Sequence, residues 1–225
     1  MVILNWRRPE NVRRILDAYT RYRQLDDLIV WNNNPDRLFT YDHPKVRCIN
    51  SPDCGLNTRW LASLLAVHDC IIVNDDDVIC AETTIDDLIE YHQRDPDRSY
   101  TLQGRNPDHE NAYAVRVHRV VAPTECEMHL TRTVCINRKF VPEYFAAIRQ
   151  MDIRIDPERG GGEDIVFSYL VTSLTGKRPL VVPGTYTDLL APHSIANRNG
   201  PQWENRTAIM RYCQRWFARR DPDTR

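Results

Sequence analysis

The run Ile71-Ile72-Val73-Asn74-Asp75-Asp76-Asp77 is where chemistry reads most directly from this chain. Three adjacent carboxylates repel one another unless something positive neutralises them. The apolar run before them places the acids at the carboxyl end of a buried strand, the edge where open α/β sheets bind ligands. A hard divalent ion that carries substrate phosphates, Mg2+ or Mn2+, is the expected occupant. A bare Asp-x-Asp is a weak motif, and the plain alternative is an acidic turn that merely ends a strand. The position after an apolar strand in a β-α chain favours the metal.

A second cluster follows the glycine run, in Gly160-Gly161-Gly162-Glu163-Asp164-Ile165. Glycines let a loop approach a ligand closely, and two carboxylates at a helix start suit its positive end. Such a carboxylate serves as a base or stabilises positive charge developing on a sugar. As a purely structural feature it would be a helix cap with Asp164 in the first turn.

These residues need elements to hold them. Met1 to Asn5 is a short apolar run, and Val12, Ile15, Leu16 and Tyr19 after Pro9 repeat at helical spacing. Asp27 to Trp31 and Lys45 to Ile49 read as strands, Leu56 to His68 as a helix with a broad apolar face, and Cys70 to Val73 as a buried strand. This alternation predicts a parallel α/β sheet. A helix capped by Thr83 or Thr84 runs through Tyr91. Then Ser99 to Gln103, Tyr113 to Val121 and Met128 to Cys135 suit an antiparallel extension of the sheet. Helices over Pro142 to Met151 and Glu163 to Leu174, a strand over Pro179 to Pro183 and a basic helix from Trp203 to about Arg219 complete the chain. The fold class expected is α/β, with a mixed, mostly parallel central sheet flanked by helices.

Bulk properties narrow the function. At 225 residues, one domain is expected, with residues 1–97 as a ligand-binding half and 98–225 as the second half. Thirty Lys plus Arg against 31 Asp plus Glu give a net charge of -1, which offers no global field for gripping nucleic acid. Seven cysteines without a C-x-x-C pair suggest neither a disulfide framework nor zinc. No stretch approaches the roughly 20 apolar residues of a membrane span, and no basic leader precedes Val2, so a cytoplasmic protein is expected.

The ordered set Trp31-Asn32-Asn33, Gly55-Leu56-Asn57-Thr58-Arg59-Trp60, Val73-Asn74-Asp75-Asp76-Asp77 and Glu163-Asp164-Ile165 resembles the exostosin family. The similarity runs from Ile3 to the Trp203 to Cys213 region and is carried by the short motifs. It implies a GT-A fold glycosyltransferase with a UDP-sugar donor and a glycan or glycoconjugate acceptor. Arg8 and Asn32 would lie near the nucleotide, Asn57 and Arg59 would reach uridine or diphosphate, and Asp77 would ligate Mn2+ with Asp75 beside it. Asp75 and Asp76 would touch ribose and donor sugar. Asp164 would stand by the anomeric carbon with Glu163 next to it, and Arg211 near the diphosphate. Many GT-A enzymes place a histidine after the last strand, so His193 is a candidate metal ligand.

Gly162 replaces a cysteine that members of the family often carry, which leaves Cys213 without that partner. Together with the short chain, this suggests a microbial or viral relative working in a reducing compartment. The resemblance implies a retaining reaction. Inversion with Asp164 as general base stays open, as does a binding module without catalysis. A nucleotidyltransferase would need a lysine-bearing glycine-rich loop, and residues 1–20 hold neither glycine nor lysine.

Overall fold

The computed structural model describes residues 1–155, 161–189 and 202–219. The opening alternates as expected: β1 (Val2–Asn5), α1 (Pro9–Tyr19), β2 (Leu28–Asn32), β3 (Val46–Asn50), α2 (Thr58–Ser63) and β4 (Cys70–Asn74). β1 pairs in parallel with β2 and β4, and β2 with β3. Their carboxyl ends therefore share one edge of the sheet, and the loops that leave them are neighbours.

After β4 come β5 (Val78–Cys80), α3 (Glu82–Arg94), β6 (Tyr100–Thr101), β7 (Gln103–Pro107), β8 (Tyr113–His118), β9 (Thr124–Glu125), β10 (Met128–His129) and β11 (Thr133–Asn137). The chain continues through α4 (Phe140–Gln150), α5 (Glu163–Thr175), β12 (Leu180–Val181), β13 (Tyr186–Asp188) and α6 (Gln202–Ala218). Among the described residues the main sheet has eight strands in the order β3-β2-β1-β4-β11-β6-β12-β9. β11 runs antiparallel to both β4 and β6, so the sheet is mixed. The antiparallel extension expected after residue 98 is present.

Helices cover both faces of this sheet. Trp60 of α2, Tyr144 of α4, Phe167 of α5 and Met210 of α6 pack on one face with Ile71 and Val73 of β4. Ile15, Leu16 and Tyr19 of α1 and Ile85 and Leu88 of α3 pack on the other with Ile72. The alternation of Ile71, Ile72 and Val73 between two cores is the period of a strand buried on both faces.

Several elements differ from expectation, and two of them show why. The helix read over Leu56 to His68 is only six residues of α2, because side chains that flank β2 on either side fix both its ends. Asn33 Nδ2 donates to Gly55 O and Thr58 Oγ1, and Val67 N donates to Asp27 Oδ2. Leu61, Leu64, Leu65 and Val67, expected on an inner face, are exposed. The single strand read over Met128 to Cys135 is two. β10 pairs with β7 in a second sheet, β10-β7-β8, and β11 enters the main sheet. Thr101 Oγ1 fastens this crossing, 3.1 Å from Leu130 O and 2.9 Å from Thr133 O. No helix among the described residues is long and apolar enough to cross a membrane.

Candidate active site

The acidic turn hangs from the end of β4 and is shaped by Asn74. Its side-chain nitrogen donates to the carbonyls of Asp75 (2.8 Å) and Val78 (3.0 Å), closing the loop over all three aspartates. Asn74 Oδ1 in turn accepts from Tyr19 Oη and Thr133 Oγ1. Asp75 N donates to Arg132 O, and Leu189 N to Asp77 O. An asparagine can brace a turn in this way because its amide offers donors and an acceptor at once.

Three arginines meet five carboxylates here. Arg8, on the loop after β1, places Nη2 2.6 Å from Asp76 Oδ1 and Nη1 2.8 Å from Asp77 Oδ2. Arg59, buried in the first turn of α2, places Nη1 3.1 Å from Asp75 Oδ1 and Nε 3.5 Å from Glu163 Oε1. It joins the acidic turn to the start of α5. Glu163 is held from behind by Gly162 N at 3.1 Å. Arg206 of α6 places Nη1 3.2 Å from Asp164 Oδ2 and donates to Tyr113 Oη at 2.8 Å.

Burial governs the electrostatics. It pushes the Asp76 carboxyl up to about 7 even with Arg8 alongside, and it raises Glu163 against the opposing pull of Arg59. Burial disfavours the Arg206 cation, but Asp164 and Tyr113 more than offset it, and its pKa is raised. Behind the site, His129 is fully buried between Trp60 and Phe167, with neither ring nitrogen hydrogen-bonded. Burial pushes its imidazole down to about 4.

A divalent cation suits this donor set. With all groups ionised, Asp75, Asp76, Asp77, Glu163 and Asp164 exceed Arg8, Arg59 and Arg206 by two negative charges. Among the described residues no three His, Cys, Asp or Glu side chains form a complete metal cage. Hard cations that carry phosphates need none, since one or two carboxylates suffice and water and substrate oxygens fill the shell.

An open pocket of about 670 Å³ adjoins Asp164 through Tyr113, lined also by Arg105, Trp203, Thr207 and Arg211. The Tyr113 and Trp203 rings lie 5.7 Å apart, and the Arg105 guanidinium stands 4.9 Å from the Trp203 ring and 5.4 Å from that of Tyr113.

The fold thus gathers Arg8, Arg59, Asp75, Asp76, Asp77, Glu163 and Asp164. Three other expected ligands are engaged elsewhere. Asn32 is fully buried in a ladder across β1, β2 and β3, accepting from Asn5 and donating to Asn50 Oδ1 and Arg37 O. Asn57 Oδ1 accepts from Tyr144 Oη. Arg211 donates to the carbonyls of Asn111 and Glu110, and it is Arg206, five residues earlier, that reaches the acids. His193 and Gly160 lie outside the described residues. In the sequence Arg206 is one of several arginines in a basic helix, and no local signal sets it apart.

The model of the glycosyl transferase family 64 domain matches residues 1–220, nearly the whole chain. The chain belongs to this family. Among solved structures it is similar to GalNAc-T7, crystallised with UDP, GalNAc and Mn2+, at a TM-score of 0.63 and 14% identity. That similarity covers all of this chain and 51% of the GalNAc-T7 chain, so the chain spans about half the length of that structure. The fold is GT-A, and the mixed sheet with its flanking helices agrees with it. No curated protein matches the chain by sequence. Residues 1–97 contribute the acidic turn with Arg8 and Arg59, and residues 98–225 contribute Asp164, Arg206 and the pocket.

Proposed function

We propose that this chain transfers a sugar from a UDP-sugar to a hydroxyl of a glycan or glycoconjugate acceptor, depends on Mn2+ or Mg2+, and retains the anomeric configuration. The observation that carries this reading is the meeting of the acidic turn with the start of α5 through Arg59.

In this reading Asp77 holds the cation with Asp75 at its side, and Asp76 and Asp75 receive the ribose and donor sugar. The cation, when bound, neutralises the diphosphate and so improves it as a leaving group. Arg8 turns from Asp76 and Asp77 toward the donor, while Arg59 stays buried and sets the distance between the two acidic elements. Asn32 and Asn57 act from behind, fixing the strand ends and the start of α2. Asp164 faces the developing positive charge on the sugar, anchored by Arg206, and Glu163 keeps Arg59 in place. A carboxylate anchored by a guanidinium suits electrostatic stabilisation better than proton uptake, which favours retention over a general-base route. Acceptors enter by the pocket of Tyr113, Trp203 and Arg105, where aromatic faces suit sugar rings. The motifs between Trp31 and Ile165 support an exostosin-like member, and seven free cysteines support a reducing compartment.

Thermal unfolding with UDP, GDP and dTDP, each with and without Mn2+, tests the donor site. UDP with Mn2+ should raise the midpoint most, because a ligand of the native state stabilises it, and Asp77→Asn should abolish the Mn2+-dependent part. Equal midpoints under all conditions would sink the proposal. The anomeric configuration of the product, read by nuclear magnetic resonance, separates retention from inversion.

A further inference from the structure

Cys70 opens β4 and Cys135 lies in β11, and their sulfurs stand 3.4 Å apart. In the antiparallel register Cys135 faces Ile72 and Asn137 faces Cys70, so the two cysteines are diagonal neighbours on the same face of the sheet. α3 covers that face. His92, in its last turn, is buried with Nε2 unpartnered and lies close enough to Cys70 to act on its thiol. Cys135 is fully buried, whereas Cys70 is partly accessible.

We propose that Cys70 and Cys135 form a redox pair, a modification site separate from the transferase centre, in which Cys70 is the attacking thiol and Cys135 the resolving one. The co-reactant is a low-molecular-weight disulfide. The Cys70 thiolate attacks one sulfur of that disulfide, forms a mixed disulfide and releases one small thiolate. Cys135 then gives its proton to the small thiolate just released, and its sulfur attacks the Cys70 sulfur, closing the Cys70–Cys135 bond and releasing the second small thiolate. Two protein thiols are oxidised and one small disulfide is reduced to two thiols, so electrons and atoms balance. The roles follow from the environment. Hydrogen bonding from Cys135 and the nearness of His92 hold the Cys70 thiol below the usual range, whereas burial holds Cys135 above it. Both strands also serve the acidic turn, since Asn74 ends β4 and Thr133 of β11 donates to it.

Peptide mapping by mass spectrometry, after equilibration in glutathione buffers of increasing oxidised fraction, tests the pair. The expected result is a linked Cys70–Cys135 peptide that dithiothreitol reverses, formed before the exposed Cys54 carries glutathione. Cys135→Ser should stop at one glutathione on Cys70, and Cys70→Ser should leave Cys135 a free thiol. The proposal is overturned if the wild-type chain collects glutathione on Cys54 while Cys70 and Cys135 both remain free. It is equally overturned if Cys135 in the Cys70→Ser chain reacts as fast as Cys70 does in the wild type. The wild-type map needs no variant to fold, and it is independent of nucleotide or metal binding.

Discussion

Arg206 and Asp164 form a nearly enclosed ion pair, with Nη1 3.2 Å from Oδ2. Removing one partner of a buried pair strands the remaining charge, at a cost of about 3–5 kcal/mol. Arg206→Ala should therefore lower unfolding stability by about that much, with Arg206→Lys losing less, as read by chemical denaturation. A loss below about 1 kcal/mol would show that the pair is solvated rather than buried. Asp164→Asn keeps shape and hydrogen bond but deletes the charge. It should cut transfer by about 100-fold or more while UDP still binds, because preorganised charge acts on the transition state.

His129 gives the residue scale its pH dependence. Its folded value of about 4 lies below the ordinary 6.5, so between those values the unfolded chain binds the proton more tightly. Stability from this group is complete above pH 6.5 and is lost as pH falls toward 4, with a ceiling of about 3 kcal/mol. His129→Gln should flatten the slope of stability against pH over that interval. An unchanged slope would mean that His129 takes up its proton in the folded state.

At the scale of elements, the start of α5 must come close to α6. Gly162 has φ of 122°, and a Cβ there would stand 2.6 Å from Ile209 Cδ1, one turn before the buried Cys213. Gly162→Ala should cost about 2 kcal/mol or more, from the positive φ together with the collision, measured by urea denaturation. A neutral result would mean that α6 moves freely on α5. Gly162 is the close contact between these two helices, and Cys213 is a buried free thiol. Element types were legible in the sequence because apolar periodicity survives without tertiary context. α2 and the β10 to β11 crossing were misjudged because polar anchors distant in sequence, Asp27 and Asn33 flanking β2 and Thr101 in β6, decide where those elements stop.

For the whole molecule, residues 1–97 and the residues after them share one sheet. β4 carries β1 on one edge and β11 on the other, and β11 comes from residues 133–137. A fragment of residues 1–97 leaves that inner edge of β4 unpaired and its Ile71 and Val73 uncovered by α4 and α5. We expect the fragment to remain unfolded by far-ultraviolet circular dichroism, and the full chain to unfold in one transition. A fragment that melts cooperatively would establish two independent domains.

By itself the sequence determined the α/β alternation, the acidic turn at the end of β4 and the carboxylate pair at the start of α5. Each of these is a local pattern: an apolar strand, a run of like charge, a glycine-fed helix start. Only the tertiary structure decided which cations answer those acids. Arg59 lies 104 positions before Glu163, and Arg206 lies 42 after Asp164. Pairing across such distances depends on how helices cross and pack, and spacing along the chain does not record it. The same holds for Asn32, whose family motif suggested a ligand contact but whose amide is consumed by the asparagines that lie beside it across the sheet.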